Sequence, residues 1–286
     1  MTNPSVKTNT LGFLKDITIP AIKLPAGACD SHMHIVGPQE RYLFTAVRSL
    51  SPPEGSWQDY RVTAGKLGLD RSVIVQPSFY GTDNRCTLDA VAESGGRARA
   101  VVVVDGDVNE QTIAAMHESG ARGVRVQTVS KGGVSFEAIE SIAACIAPFG
   151  WHLQLYLDAT ELPALITRLR RLPTPLVFDH MAHVIEASGT QDKGFYLLLD
   201  LLASGKGWVK LSNALFPPSA ERAQIFAKTN PKRILWGSDW PHVAHSDAGV
   251  PDDGQLVNLL ADWIPDEATR HKALVDNPGE LYFAQK

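Results

Sequence analysis

The chain has 286 residues, with 44% hydrophobic and 20% charged side chains, the composition of an ordinary globular protein that can bury a full core. The net charge is −4 and no run of Lys and Arg occurs, which argues against nucleic acid as a partner. No apolar run reaches the length that crosses a bilayer, residues 1–20 lack the hydrophobic region of a signal peptide, and Cys29, Cys86 and Cys145 have no CxxC spacing. We therefore expect a cytoplasmic protein that binds neither nucleic acid nor membrane.

Apolar segments alternate with amphipathic ones along most of the chain. Residues 1–25, rich in Asn, Thr, Lys and Pro, predict an N-terminal arm, and residues 26–286 predict one domain. Strands are predicted at residues 28–34, 72–76, 100–104, 123–127, 152–157, 176–180, 208–212 and 234–238. Helices are predicted at residues 87–93, 111–119, 135–148, 161–171, 193–204, 220–228, 254–264 and 267–274. Several strands are nearly continuous runs of Val, Ile and Leu, as expected for strands covered on both faces.

Eight strands that alternate with helices over roughly 250 residues are typical of one α/β architecture, the single (β/α)8 TIM-type barrel. A doubly wound open sheet is the competing architecture, but no GxGxxG motif follows the first predicted strand. Residues 37–58 form a long loop after that strand. We expect this loop to cover the functional site.

Imidazole and carboxylate side chains stand at the ends of three predicted strands. His32 and His34 are two residues apart, so on a strand they share one face. His180 ends the sixth strand, and Asp239 follows the eighth. Taken singly, the aspartate could cap a helix and each histidine could be a hydrogen-bonded core residue. Because the carboxyl ends of barrel strands meet at one mouth, the four residues together predict an active site.

The pattern His32-x-His34 with Asp239 on the last strand resembles the amidohydrolase superfamily, whose members usually hold one or two divalent metals at these strand ends. Binuclear members need a bridging lysine or glutamate on the fourth strand and a histidine on the fifth. Here the fourth strand carries Arg125 and the fifth carries Tyr156. A zinc ion held by His32, His34 and Asp239 is an alternative. We predict a site with no metal and no other cofactor.

Longer segments resemble the metal-independent lactonase branch of this superfamily, that of the 2-pyrone-4,6-dicarboxylate hydrolases. These segments are residues 28–38, 75–84, 123–125, 156, 179–181, 236–242 and 251–254. The resemblance implies that Asp239 is the general base. It implies that the lactone carbonyl is polarised by His32, His34 and His180, and that the substrate is held by Ser78, Arg125 and Tyr156.

The sequence departs from that branch where further arginines would grip a dicarboxylate. Residues 127–131, 180–183 and 209–213 contain no arginine, the side chain best suited to bidentate carboxylate recognition. Polar side chains that suit a hydroxylated ring occur there instead: Gln127, His183, Ser212 and Asn213. His242 is a further predicted substrate-binding residue and the next candidate for the base.

We therefore predict a lactone isomerase, similar to the galactarolactone isomerases, that converts galactaro-1,5-lactone to galactaro-1,4-lactone. Its partner would be this small-molecule lactone. The alternatives are hydrolysis of a pyrone-dicarboxylate-like or sugar lactone, a metal-dependent hydrolase or decarboxylase, and a non-catalytic protein that binds sugar acids. A binding protein would not need a carboxylate base that faces three histidines. The sequence does not determine the oligomeric state.

Overall fold

Eight parallel strands form a nearly closed barrel in the computed structural model, which describes residues 7–8, 12–128, 134, 136–184, 193–212, 220–244 and 249–284. The strands are β1 (Cys29–Met33), β2 (Arg71–Val75), β3 (Ala98–Val102), β4 (Ala121–Gln127), β5 (His152–Tyr156), β6 (Leu176–Phe178), β7 (Gly207–Leu211) and β8 (Ile234–Trp236). Each strand pairs in parallel with the next one along the chain. The predicted TIM-type barrel is confirmed.

Helices connect the strands and cover the barrel. They are α1 (Trp57–Leu67), α2 (Arg85–Glu93), α3 (Glu110–Glu118), α4 (Ile139–Ile146), α5 (Leu162–Arg171), α6 (Lys193–Ala203), α7 (Ala220–Thr229), α8 (Asp253–Trp263) and α9 (Glu267–His271). The sequence prediction missed α1, which starts at a reciprocal capping pair between Ser56 and Asp59. After α9 the chain continues in two π-helical turns, Lys272–Asp276 and Gly279–Phe283. None of the described helices combines the length and apolar character that a membrane-spanning segment requires.

Successive side chains along each strand point alternately to the two faces of the sheet and so form two apolar layers. One set of residues packs beneath the helices, and the other set forms a smaller cluster with Tyr282 of the last π-helical turn. That smaller cluster includes Val73, Val101, Val177 and Leu235, all fully buried. Because successive side chains of a strand point to opposite faces, these residues face the barrel interior. The interior is therefore a packed core, and ligands can enter only at its ends.

The barrel closes where the chain leaves β8 and runs beside β1. The backbone N–H of Asp239 donates to the carbonyl oxygen of His32 at 2.8 Å, and the N–H of His34 donates to that of Trp240 at 2.7 Å. A Cβ atom on Gly237 would lie 2.5 Å from Cβ of His32, so this close approach requires glycine. Closure of the barrel thus brings the carboxylate of Asp239, just after β8, against His32 and His34 at the end of β1.

Candidate active site

His32 and His34 reach the mouth of the barrel from β1, and both are buried. Nδ1 of His34 lies 2.7 Å from the carbonyl oxygen of Val75. A carbonyl oxygen only accepts hydrogen bonds, so Nδ1 of His34 carries a proton. Its Nε2 atom is therefore protonated only when the ring is cationic.

A left-handed turn follows β6 and carries His180. In the 3-10 turn Asp179–His183, the four residues from His180 onwards have φ between 48° and 54°. Non-glycine residues seldom adopt this conformation, which costs of the order of 1–3 kcal/mol each and recurs at functional sites. The prediction that the sixth strand continues to residue 180 is wrong for this reason. The turn brings Nδ1 of His180 to 2.8 Å from Oγ of Ser212.

Asp239 stands at the centre of the three imidazole rings. Its Oδ1 atom lies 3.4 Å from Nε2 of His34, 3.6 Å from Nε2 of His32 and 3.9 Å from Nε2 of His180. The residue has a φ of 67°. The strand before it ends at Trp236, because the N–H of Ser238 donates to Oδ1 of Asp30 at 3.0 Å instead of to a neighbouring strand, so the prediction that it continues to residue 238 is wrong. The turned backbone aims the carboxylate at the rings. The sequence prediction that these four side chains converge is matched by this geometry.

Burial and neighbouring charges set the protonation of this cluster. Burial lowers the pKa of His180 to about 4 and that of His32 well below its usual value. Both rings are neutral at pH 7 and each has one N–H. Burial alone would raise the pKa of Asp239, but the imidazoles of His180, His34 and His32 outweigh burial and hold this pKa below its usual range. The site therefore combines an ionised carboxylate, that of Asp239, with the neutral imidazoles of His32 and His180 around it.

A second layer of polar side chains lies beneath the rings, around the buried carboxylate of Asp179. Its Oδ2 atom accepts hydrogen bonds from Nε of Arg125 at 3.0 Å and from Nε2 of Gln154 at 3.1 Å. Its Oδ1 atom lies 3.1 Å from Nδ1 of His32 and 3.6 Å from Nζ of Lys210. Burial alone would raise the pKa of Asp179, but His32, Lys210 and Arg125 hold it well below its usual range. Asp179 is therefore ionised.

Gln154 and Lys210 are buried residues that the sequence analysis did not select. The available signal was a polar side chain at an inward position of a mostly apolar strand, in β5 and β7 respectively. Burial lowers the pKa of Lys210 to about 8, so the ammonium form still predominates at neutral pH. Nζ of Lys210 donates to Oε1 of Gln154 at 2.7 Å.

A cleft opens above the rings, and three of the seven predicted substrate-binding residues line it. Ser78, Arg125 and Tyr156 share its wall with His34, His180 and Asp239. The guanidinium of Arg125 lies 4.6 Å from the centre of the Tyr156 ring, a cation–π arrangement that fixes both side chains. Leu50, from the loop predicted to cover the site, is also part of the wall.

The remaining predicted residues lie at different distances from the cleft. Gln127 is buried at the end of β4, and His183 packs its ring 5.0 Å from that of Tyr156. Nε2 of His242 lies 3.1 Å from Oδ1 of Asp253, away from the cleft wall. Burial lowers the pKa of His242, but the carboxylates around it, Asp253 foremost, together hold this pKa above its usual value. Asn213 lies outside the described residues.

His32, His180 and Asp239 also offer donor atoms to a divalent metal ion. These atoms lie within 4.8 Å of one another, and histidine nitrogen with carboxylate oxygen is a donor set that zinc accepts. Nε2 of His32 and Oδ1 of Asp239 have no hydrogen-bond partner among the described residues. The residues therefore fit a metal ion, which would polarise a carbonyl group or a water molecule there.

Comparison with known proteins identifies the relatives of this fold and site. The family profile described as amidohydrolase matches residues 29–284. The chain belongs to the amidohydrolase family. This amidohydrolase is 34% identical to the 2-pyrone-4,6-dicarboxylate hydrolase of Comamonas testosteroni over 93% of each chain. It is 31% identical to the D-galactarolactone isomerase of Agrobacterium fabrum over 93% of this chain and 94% of that one.

A solved structure also resembles this chain along nearly its whole length. A crystal structure of an apo protein from Agrobacterium tumefaciens matches it with a TM-score of 0.85 at 30% identity. The match covers 93% of this chain and 99% of that one. The resemblance to the lactone-acting branch that the sequence motifs indicated is confirmed by these relatives.

Proposed function

We propose that this amidohydrolase isomerises a sugar-acid lactone, galactaro-1,5-lactone to galactaro-1,4-lactone, by general-base acyl transfer without a metal. One observation carries the proposal: the ionised Asp239 carboxylate, which lies in the wall of a cleft with His34 and His180, is 3.4–3.9 Å from the nitrogens of these two imidazoles and of the buried His32. A base and hydrogen-bond donors at one carbonyl are what acyl transfer requires.

The residues divide the reaction between them. Asp239 takes the proton from a hydroxyl group of the bound lactone, and that oxygen attacks the carbonyl carbon. Imidazole N–H groups of His32 and His180 donate to the developing oxyanion, an effect worth about 2.7–4 kcal/mol per donor in acyl-transfer enzymes. The tetrahedral intermediate then expels the ring oxygen, which recovers the proton from Asp239. No atom is gained or lost, and the lactone changes its ring size.

The charge in the cleft supports a hydroxylated substrate. Arg125 is the one guanidinium among the described residues of the cleft wall, and it already donates to Asp179. A planar dicarboxylate would need more arginine contacts than this. A sugar-acid lactone offers hydroxyl groups that Ser78 and Tyr156 can bind. The galactarolactone isomerase relative acts on such a compound by its name.

The metal-free part of the proposal rests on the cations behind the site. Arg125 and Lys210 lie on either side of Asp179, and Nζ of Lys210 is 3.3 Å from Nδ1 of the candidate ligand His32. A fixed ammonium so close to a ligand ring opposes the binding of a divalent cation. Tyr156 occupies the position of the histidine that metal-dependent relatives place on the fifth strand.

Hydrolysis of the lactone is the second candidate, favoured by 34% identity to a pyrone-dicarboxylate hydrolase. The same base and donors would then activate water. A hydroxyl group of the substrate, held near the carbonyl, has an effective molarity that free water does not match. We therefore prefer isomerisation.

The two reactions are distinguished by the fate of solvent oxygen. Purified protein is mixed with galactaro-1,5-lactone in H2(18O), and the products are followed by carbon NMR and mass spectrometry. Isomerisation gives the 1,4-lactone without label, whereas hydrolysis gives open-chain galactarate that carries one solvent oxygen. Direct formation of labelled galactarate, with no 1,4-lactone passing through, would refute the isomerase proposal. Failure to consume galactaro-1,5-lactone would refute both its isomerisation and its hydrolysis by this protein.

A further inference from the structure

Lys210 is a buried cation that the proposed chemistry does not use. It is fully buried in the middle of β7, and a lysine seldom occupies such a place unless it is paired. Nζ donates to Oε1 of Gln154 at 2.7 Å and lies 3.3 Å from Nδ1 of His32. The second contact is made with Nδ1 of the His32 ring, and Nε2, the other nitrogen of the same ring, faces Asp239.

Nδ1 of His32 has two neighbours, a hydrogen-bond donor and a hydrogen-bond acceptor, and a neutral ring can pair with only one of them through this atom. The ammonium of Lys210 can only donate, so its contact needs a lone pair on Nδ1. The carboxylate of Asp179 can only accept, so its contact needs a proton on Nδ1. A neutral ring satisfies one of them, and the choice decides whether Nε2 at the mouth carries a proton.

The geometry favours the lysine. The contact between Nζ and Nδ1 has hydrogen-bond geometry at 3.3 Å. Oδ1 of Asp179 is closer to Nδ1, at 3.1 Å, yet this oxygen has no aligned hydrogen-bond donor in the described part of the chain. The other oxygen of Asp179 is already engaged by Arg125 and Gln154. Oδ2 of Asp179 is thus satisfied without the imidazole proton, and Oδ1 faces the ammonium of Lys210 at 3.6 Å, whereas Lys210 uses the imidazole as an acceptor.

We propose that Lys210 is a positioning residue: its ammonium donates to Nδ1 of His32 and thereby holds the imidazole proton on Nε2, facing the substrate. There the proton is available to the lactone carbonyl. The catalytic consequence rests on the proposed function, but the position of the proton does not. Without Lys210, the imidazole proton moves from Nε2 to Nδ1, where it is donated to the carboxylate of Asp179. Nε2 of His32 then presents a lone pair to the carbonyl oxygen, and the oxyanion loses a donor.

The tautomer of His32 is read directly by nitrogen-15 NMR of histidine-labelled protein, with the resonance assigned from its loss in His32→Gln. We expect wild-type His32 to show a protonated Nε2 and an unprotonated Nδ1. We expect Lys210→Met, which keeps the length of the side chain, to show the reverse. In that variant kcat should fall about 10²–10³-fold, the effect of removing one oxyanion donor, while KM changes little.

Lys206→Met is the matched control. Lys206 precedes the same strand and donates to the carbonyl oxygens of Leu172 and Thr174, far from the rings. Its loss removes the same charge from the chain, and we expect the His32 spectrum and kcat to stay those of the wild type. A purely structural role of Lys210 would lower the melting temperature without reversing the tautomer.

Asp179→Asn keeps the test decisive if Lys210→Met does not fold. This variant replaces the competing carboxylate by a neutral amide, whose NH2 group can itself donate to Nδ1, and we expect His32 to retain the proton on Nε2. A wild-type ring protonated on Nδ1, or a ring that moves its proton to Nε2 only in Asp179→Asn, would overturn the proposal. An unchanged tautomer in folded Lys210→Met would overturn it as well. If the lactones are not consumed but the tautomers behave as stated, the proposed function fails and the assignment of Lys210 stands.

Discussion

Replacement of Asp239 by asparagine tests the proposed base with the least change of shape. The residue has a φ of 67°, a conformation that asparagine tolerates well and alanine does not, so the backbone should keep its course. The N–H of residue 239 still donates to the carbonyl oxygen of His32. Oδ1 accepts no hydrogen bond from the described residues, so the amide leaves no donor of the folded chain without its acceptor. The variant should therefore fold and bind substrate.

The expected loss follows from the chemistry of the carboxylate. The three imidazoles keep Asp239 ionised, and an amide has no comparable basicity. General-base catalysis contributes about 10²–10⁴-fold, so kcat should fall by that factor, or about 3–5 kcal/mol of transition-state free energy, with KM nearly unchanged.

Carbon NMR of the lactone under saturating conditions measures this rate, and the control is Asp105→Asn, the same change at an exposed residue beyond β3. A kcat near that of the wild type would refute the assignment of the base. A raised KM with unchanged kcat would make Asp239 a binding residue instead.

Four further predictions concern the metal, the barrel seam, helix α1 and the buried polar interior. Activity should survive dialysis against a chelator; loss of activity that zinc restores, with stoichiometric zinc in the purified protein, would contradict the metal-free proposal. Gly237→Ala should lower the free energy of unfolding by about 1–3 kcal/mol and also lower kcat, because the new Cβ meets His32 at 2.5 Å. Gly65→Ala, with no atom within 4 Å, should instead stabilise helix α1 by about 0.5–1 kcal/mol, as urea unfolding would measure. Burial lowers the pKa of His152 from 6.5 to about 3, so unfolding takes up a proton between these values and stability falls with falling pH, by up to about 1.4 kcal/mol per pH unit. His152→Phe should flatten this slope, and an unchanged slope in urea titrations at several pH values would contradict the account.

The sequence by itself determined the architecture and the principal side chains of the site. Apolar runs and amphipathic segments in alternation are enough to predict a (β/α)8 barrel, because each strand and helix has its own local period. The barrel then dictates that strand ends share one mouth. This is why His32, His34, His180 and Asp239 could be grouped although they are far apart in the chain.

Only the tertiary structure decided where the strands end and what lies behind the rings. β6 and β8 end two residues earlier than predicted. After β6 the chain enters the 3-10 turn Asp179–His183, and after β8 the N–H of Ser238 donates to the side chain of Asp30 instead of to a neighbouring strand. His242, with a φ of 65°, is turned towards Asp253.

The proton of His32 is the clearest case of information that lies outside the sequence. Lys210 is 178 residues away from His32 in the chain, and Asp179 follows yet another strand. The period of a strand shows which side chains face the interior, but the tilt and stagger of the closed barrel decide which of them meet. The direction of the hydrogen bond then selects between lysine and aspartate, although the aspartate oxygen is the closer atom, and with that choice the nitrogen that carries the proton.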